Sequence, residues 1–416
     1  MQVMVSPVLH ARTLWHPARW RRFPAAQPPG WPHDSRLSDV RAQLAGRPAL
    51  VPPAEAVTLR RRLAQAAYGR CLVIQIGDCA ETFEPATPSR VSRAVALSRA
   101  VTGLAEERLR LPAISIGRIG GQYAKPRSSA VEEVDGIALP SFRGFLINGL
   151  DADAVTRRPE PRRMLWGYEH AARTVSLLRE AAHAGLPMRG HWGDGLPAVW
   201  TSHEALVLDY EEPLTRWDAD LDGWALTSTH LPWIGERTRQ ADGAHVRFLA
   251  GVVNPVGCKV GPSTTAEDIT RIAGILDPYR HPGRLVFIAR MGADHVAAAL
   301  PPLVKAVQSA GHRAVWLCDP MHGNTISAPS GHKTRHVSTI TAEITGFVGA
   351  VQQAGGWPGG LHLEATADPV TECIGGRCGI EIDQVPRNYL TACDPRLNLD
   401  QTLEVTARFV DLMHQP

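Results

Sequence analysis

Eight short apolar runs, each closing in a cluster of Gly, Pro or charged residues, constrain the fold of this chain more than any other feature. They occupy residues 71–81, 111–128, 196–206, 223–240, 248–263, 284–295, 313–325 and 359–368. Near-continuous hydrophobic strands are the mark of a parallel sheet covered by helices on its faces. Helical periodicity follows most of the runs: over 90–107, over 161–182, from Thr264, Thr265 and Glu267 to Leu276, and over 400–413. Eight such units predict an α/β fold, a closed (β/α)8 TIM barrel, with a doubly wound open sheet as the alternative. Polar residues cluster just after each run, at the carboxyl ends of the strands, where barrels place their chemistry. Residues 1–68 read differently. A Pro-rich stretch, 23–34, precedes two helical patterns, so this part is expected to be an N-terminal extension packed on a catalytic barrel of residues 69–416.

Composition excludes several classes. A formal net charge of +3 over 416 residues, with no block of like charges, argues against a nucleic-acid surface. No apolar run approaches the roughly 20 residues that span a bilayer, so no membrane partner is expected. The seven cysteines are an odd, scattered set without a CxxC pair, which speaks against a disulfide framework and for the reducing cytoplasm. The first 33 residues hold Arg12, Arg19, Arg21 and Arg22 but no acid, a faint likeness to a transit peptide. Their Pro and Trp content favours a draped arm instead, and apolar residues from Val3 to Trp15 offer a surface for a homo-oligomer.

Two groups of strand-end residues carry chemistry. The first is cationic: Lys125 and Arg127, Arg237 and Arg239, Lys259, Arg290, Lys333 and Arg335. These come one or two at a time from separate segments, so a barrel would converge them on one mouth, as a phosphorylated or carboxylated ligand requires. The second group is Cys79, His322, Glu364 and Asp394, one thiol, one imidazole and two carboxylates, which suit a first-row divalent ion and not calcium. Each also has an ordinary reading: a buried small residue for Cys79, helix caps for His322 and Asp394, an arginine partner for Glu364.

In order along the chain, GDCAETF, GGQYAKPRS, TSHEALVLDYE, PWIGERTRQADGAH, NPVGCKVGPS, ARMGADHV, VWLCDPMHGNT, KTRH, VTECIGG and CDPRLN closely resemble the motifs of class II (plant-type) 3-deoxy-D-arabino-heptulosonate 7-phosphate (DAHP) synthases. The resemblance covers nearly the whole chain. It implies a transferase that condenses phosphoenolpyruvate with erythrose 4-phosphate and releases phosphate, at the entry to the shikimate pathway. It implies a metal held by Cys79, His322, Glu364 and Asp394, manganese or cobalt first and zinc or iron next. It places phosphoenolpyruvate against Arg127, Glu236, Arg237, Lys259 and Arg290, with Lys125 and Ser128 in the same motif, and Lys333 near the aldehyde. Lys259, Arg127 and Arg237 would position the reacting groups, and Glu236 would orient the attacking water. Cys79 should then lie where the thiolate is favoured. Family analogy also implies a homodimer or larger assembly.

The chain departs from the family pattern in four places: EATADPVTEC lacks an expected glycine, which would shift the loop after Glu364, and three others bear on substrate and regulation. Phe145 stands where the family usually has an acid, Ile76 where it has a glycine, and the segment before TSHE is too short for the helical insertion tied to aromatic feedback. The first two raise the alternative of an altered aldehyde, such as the imino analogue of erythrose 4-phosphate. The third predicts little or no inhibition by aromatic amino acids, as suits a supply enzyme of specialised metabolism. A non-catalytic partner of another enzyme is the reading from a different class.

Overall fold

Side-chain parity organises the molecule. The computed structural model describes residues 15–31, 34–84, 86–134, 136–183 and 196–414. Each of the eight runs contributes one strand to the barrel: β1 (Leu72–Gly77), β2 (Ala113–Arg118), β3 (Trp200–Glu204), β4 (Leu231–Ile234), β5 (Val256–Val260), β6 (Leu285–Ala289), β7 (Val315–Cys318) and β8 (Pro358–Glu364). All pair in parallel with their chain neighbours, and β1 closes on β8, so the sheet is a barrel and not the open alternative. Leu72, Ile74 and Ile76 face outward, into the large apolar cluster shared with the covering helices. Cys71 and Val73 face inward, where they meet Ile114, Ile116, Trp200, Leu231, Trp233, Val286, Ile288, Val315 and Leu317. Closure needs a glycine at one point: a Cβ on Gly360, at φ +148°, would stand 1.8 Å from the carbonyl oxygen of Val73.

Ahead of the barrel come α1 (Arg36–Ala45) and α2 (Pro53–Ala67). Leu59, Leu63 and Ala66 of α2 join the interior cluster, so this helix plugs the amino-terminal end of the barrel. Each fully buried leucine there contributes roughly 1.5–3 kcal/mol. Three indoles tie down the arm before α1: Trp15 Nε1 donates to the Arg247 carbonyl at 3.3 Å, Trp20 Nε1 to Glu212 at 2.6 Å and Trp31 Nε1 to Asp209 at 3.3 Å. The expected oligomer surface from Val3 onward lies, apart from Trp15, outside the described residues.

The long crossover helices are α3 (Pro88–Leu109), α4 (Arg163–His183), α6 (Ala266–Leu276), α7 (Val296–Ser309), α8 (Val337–Gln353) and α9 (Leu399–Met413), with the short α5 (Ala244–Leu249) between α4 and α6. Capping fixes their starts. Thr87 accepts from the Arg90 amide ahead of Pro88, and Thr265 with Asp268, like Asn398 with Gln401, forms a reciprocal capping box.

Two local readings are corrected. Within the fourth run, Gly223–Leu226 pairs antiparallel with Thr215–Asp218 as a hairpin outside the barrel, and only Leu231–Ile234 enters it. In the fifth, Phe248 and Leu249 end a helix, and the strand begins at Val256. After β3 the crossover holds only one helical turn, Leu208–Glu211.

Candidate active site at the mouth of the barrel

The strand ends enclose a cleft of about 810 Å³, counting its open mouth. Cys79, Lys125, Arg127, Ser128, Glu236, Arg237, Lys259, Arg290, His322, Lys333, Glu364 and Asp394 all line it, so the expected metal ligands and substrate contacts converge here. Of the other cations in the first group, Arg335 is fully buried behind Glu364 and Arg239 is turned to Glu236 at 3.0 Å; neither lines the cleft.

The floor is built from below by a directed chain of hydrogen bonds across the barrel interior. Arg118 Nη1 lies 2.6 Å from His362 Nε2, and a guanidinium can only donate, so that nitrogen accepts. His362 Nδ1–H therefore donates to Gln75 Oε1 at 2.7 Å, Gln75 Nε2 donates to Ser202 Oγ at 2.9 Å, and Ser202 donates to the Gly117 carbonyl at 2.8 Å. Burial, then Lys259 and Arg118, hold the His362 imidazole neutral, its pKa well below the usual value.

On this floor stands Glu364. Arg118 reaches it at 3.1 Å, Arg335 at 2.9 Å and His322 Nε2 at 3.0 Å. Burial alone would raise its carboxyl, but His322, Arg335 and Arg118 hold it well below the usual range. Ligand atoms of Cys79, Glu364 and Asp394 lie within 4.8 Å of one another. His322 stands beside this trio through Glu364 without joining all of it at that distance. Its Nδ1 faces Asp319 at 2.8 Å, so the nitrogen turned to the trio is Nε2, held by a carboxylate behind the ring.

A cation already sits among these donors. The Lys125 ammonium lies 2.5 Å from Cys79 Sγ and contacts Asp394, whose other oxygen meets Lys333 at 2.9 Å. Burial works against the Lys125 charge, yet Cys79 and Asp394 raise its pKa. The donor set, one thiol, two carboxylates and an adjacent imidazole, thus fits a first-row divalent ion in charge and chemistry. The expectation of a favoured thiolate is corrected for the protein by itself. Burial, Cys393 and Glu364 push the Cys79 thiol well above its ordinary value, and Lys125 only partly opposes them. A bound divalent ion is what would deprotonate it.

Further cations line the same cleft. Lys259 Nζ is held by Asp319 at 2.8 Å, and burial lowers its pKa. Arg290 Nη2 donates to the His322 carbonyl at 2.5 Å, and Arg127 pairs with Glu132.

Several residues of this site escaped the sequence reading. Arg118 and Glu204 end the second and third strands and meet the strand-end criterion used for the others. Asp319 stands three residues before His322, but nothing in its spacing tells a positioning carboxylate from a turn. Trp233 and His362 carry no signal at all until closure of the barrel turns them inward. Glu204 Oε1, Glu236 Oε2 and Trp233 Nε1 are buried without a hydrogen-bond partner, and all three side chains line the cleft. Such atoms normally find a ligand or water. Gly235 makes the room: a Cβ there would lie 2.0 Å from Glu204 Oε1.

The two substituted positions lie off the cleft. Ile76 points into the outer cluster, and Phe145 packs on Phe83 and Phe142 with ring centres 5.6 and 5.1 Å away. Neither is among the residues lining the cleft, so no direct contact ties them to the aldehyde pocket.

The class-II DAHP synthetase family matches residues 15–192 and 196–410. A Pseudomonas fluorescens protein named as a probable phospho-2-dehydro-3-deoxyheptonate aldolase is 47% identical over 374 residues, 90% of this chain and 92% of its own. A phospho-2-dehydro-3-deoxyheptonate aldolase of Streptomyces coelicolor is 40% identical over 425 residues, 93% of this chain and 94% of its own. With relatedness running through nearly the whole length, and the shared motifs meeting at one mouth, the chain belongs to the class-II DAHP synthetase family.

Proposed function

We propose that the protein condenses phosphoenolpyruvate with erythrose 4-phosphate to give DAHP and phosphate, in a reaction that depends on a divalent metal. The observation that carries this reading is the single cleft in which Arg127, Arg237, Lys259 and Arg290 face Cys79, Glu364 and Asp394. The names of the relatives point the same way.

In this reading Arg127, Arg237, Lys259 and Arg290 bind the carboxylate and phosphate of phosphoenolpyruvate, with Lys125 and Ser128 alongside. Fixed cations of this kind supply rate through positioning and charge. Cys79, His322, Glu364 and Asp394 would hold the ion, manganese or cobalt first, which supplies Lewis acidity toward the aldehyde oxygen. Lys333 steadies the aldehyde substrate. The carbon 2–carbon 3 π pair of phosphoenolpyruvate forms the bond to the aldehyde carbon as the aldehyde oxygen takes up a proton, water adds its oxygen at carbon 2 and gives up its protons, and the bond from carbon 2 to the phosphate oxygen breaks, leaving the ketone and phosphate. Glu236 and Glu204, each with a buried unpartnered oxygen at the cleft, orient that water.

The test uses metal-stripped protein with manganese or cobalt restored, following phosphoenolpyruvate loss with and without erythrose 4-phosphate. Consumption that needs ion and aldehyde together, with one phosphate released per product, is expected. Phosphoenolpyruvate binding without turnover would turn the question to another aldehyde.

Three further points belong to the same proposal. Residues 1–68 act as an extension of the barrel and not as a separate domain, supported by the α2 plug. The enzyme works in the cytoplasm as a homo-oligomer. It escapes aromatic feedback, an expectation resting largely on residues 184–195, outside those described. Titration with Trp, Phe and Tyr should leave activity unchanged; saturable inhibition would sink that point.

A further inference from the structure

A buried carboxylate outside the cleft remains unexplained by the chemistry above. Glu343 lies on α8, behind the loops that follow β6 and β7, and is fully buried. Its Oε1 accepts from two consecutive amides, Met291 and Gly292, each at 2.8 Å. Its Oε2 accepts from Asn324 Nδ2 at 2.6 Å. Asn324 in turn accepts from the Ala293 amide at 3.1 Å and donates to the Pro320 carbonyl at 2.8 Å. One carboxylate and one amide therefore stitch the two loops together.

The loops also touch backbone to backbone. A Cβ on Gly323 would lie 2.4 Å from the Gly292 nitrogen, so neither turn can retreat from or slide past the other without breaking this contact. Arg290 immediately precedes the first stitched turn, and His322 immediately precedes the second. Arg290 Nη2 closes the front of the assembly on the His322 carbonyl at 2.5 Å. Burying a carboxylate this deeply costs free energy that an apolar side chain of similar size would not. The donors that satisfy it all belong to the two loops that present a cleft cation and a cleft imidazole.

We propose that Glu343 is a positioning residue that locks the loops after β6 and β7 into one rigid unit, so that Arg290 and His322 are presented together in fixed relation. This rests on the reading of Arg290 as a phosphoenolpyruvate contact. Burial raises the Glu343 carboxyl to about 7, against the pull of the Gly292 amide and Asn324, which marks the lock as held against a desolvation cost.

The experiment compares wild type with Glu343→Ala, Glu343→Gln and Asn324→Ala, measuring kcat, KM, the calorimetric dissociation constant for phosphoenolpyruvate and the melting temperature. Loosening a cation that binds the substrate should raise KM and the dissociation constant by about tenfold or more in Glu343→Ala. Glu343→Gln keeps one oxygen for the two amides and should recover much of that loss. Asn324→Ala leaves the carboxylate in place, removes the second loop's share and should also weaken binding. Should Glu343→Ala fail to fold, the other two variants decide. A lower melting temperature with KM and dissociation constant within twofold of wild type would overturn the inference and leave Glu343 as a folding residue. Because binding is measured without the aldehyde, wild type that binds phosphoenolpyruvate but does not consume it would count against the reaction alone, with the comparison between variants still decisive.

Discussion

At Cys79 two demands meet. Burial first, then Cys393 and Glu364, push the thiol well above its ordinary value, Lys125 opposes them in part, and a bound divalent ion would favour the thiolate. Cys79→Ser keeps the size and removes the soft donor. Turnover should fall on the order of 100-fold, with matching loss of bound manganese or cobalt measured by equilibrium dialysis. Unchanged turnover and ion content would remove Cys79 from the metal site, and absence of turnover in wild type itself would favour the non-catalytic partner. Glu204 gives a second test at this scale. Burial raises its carboxyl, with Lys259 pulling the other way, so it stays protonated to higher pH than a free glutamate. Orienting water needs the ionised form, and activity should therefore rise as pH rises through that pKa. Glu204→Gln should lower kcat and erase this limb of the pH profile while leaving phosphoenolpyruvate binding nearly intact.

Helix α2 shows how an element can be legible in outline and opaque in role. Its apolar spacing predicts a helix, but only the finished barrel shows that Leu59 and Leu63 fill its lower end. Leu59→Ala should cost about 2–5 kcal/mol in denaturant unfolding, since the barrel wall around it cannot collapse. The same helix carries Glu55, which receives Arg179 at 2.8 Å and His230 Nε2 at 2.8 Å. His230 Nδ1 accepts from the Thr201 amide, so the ring is neutral with its proton on Nε2. Burial would raise the Glu55 carboxyl, but His230 and Arg179 lower it from 4.5 to about 2. A depressed carboxylate stabilises the fold above its unfolded pKa, and that stability drains away as pH falls from 4.5 toward 2. It amounts to on the order of 3 kcal/mol at neutral pH. Glu55→Gln should flatten acid unfolding over that window. The barrel strands were readable because burial on both faces leaves a continuous apolar run. The hairpin at Gly223–Leu226 was not, because a strand outside the barrel with one buried edge looks the same over four residues.

Across the whole molecule, the site was legible to the extent that its residues stand at strand ends, a position that periodicity reveals. Lys259, Arg290 and Glu364 follow that rule. The second tier does not: His362, Gln75 and Ser202 sit inside strands, and their role depends on which neighbour lies across the barrel, a distance of hundreds of residues in the case of Gln75 and His362. The ion-pairing choices of Arg335 and Arg239 depend likewise on packing, which strand-end counting cannot resolve.

The plug formed by α2 has one more consequence. With the lower end filled by leucines and the layer above it crossed by a chain of hydrogen bonds, the described residues leave the cleft to open at the strand-end mouth. Whatever binds deepest must arrive first and depart last. Exposure rises in that order: Glu364 is fully buried, the Arg127 side chain is 24% exposed and that of Lys333 is 48% exposed. Traffic through one doorway therefore imposes a queue, and a kinetic order of arrival follows from the architecture before any affinity is considered.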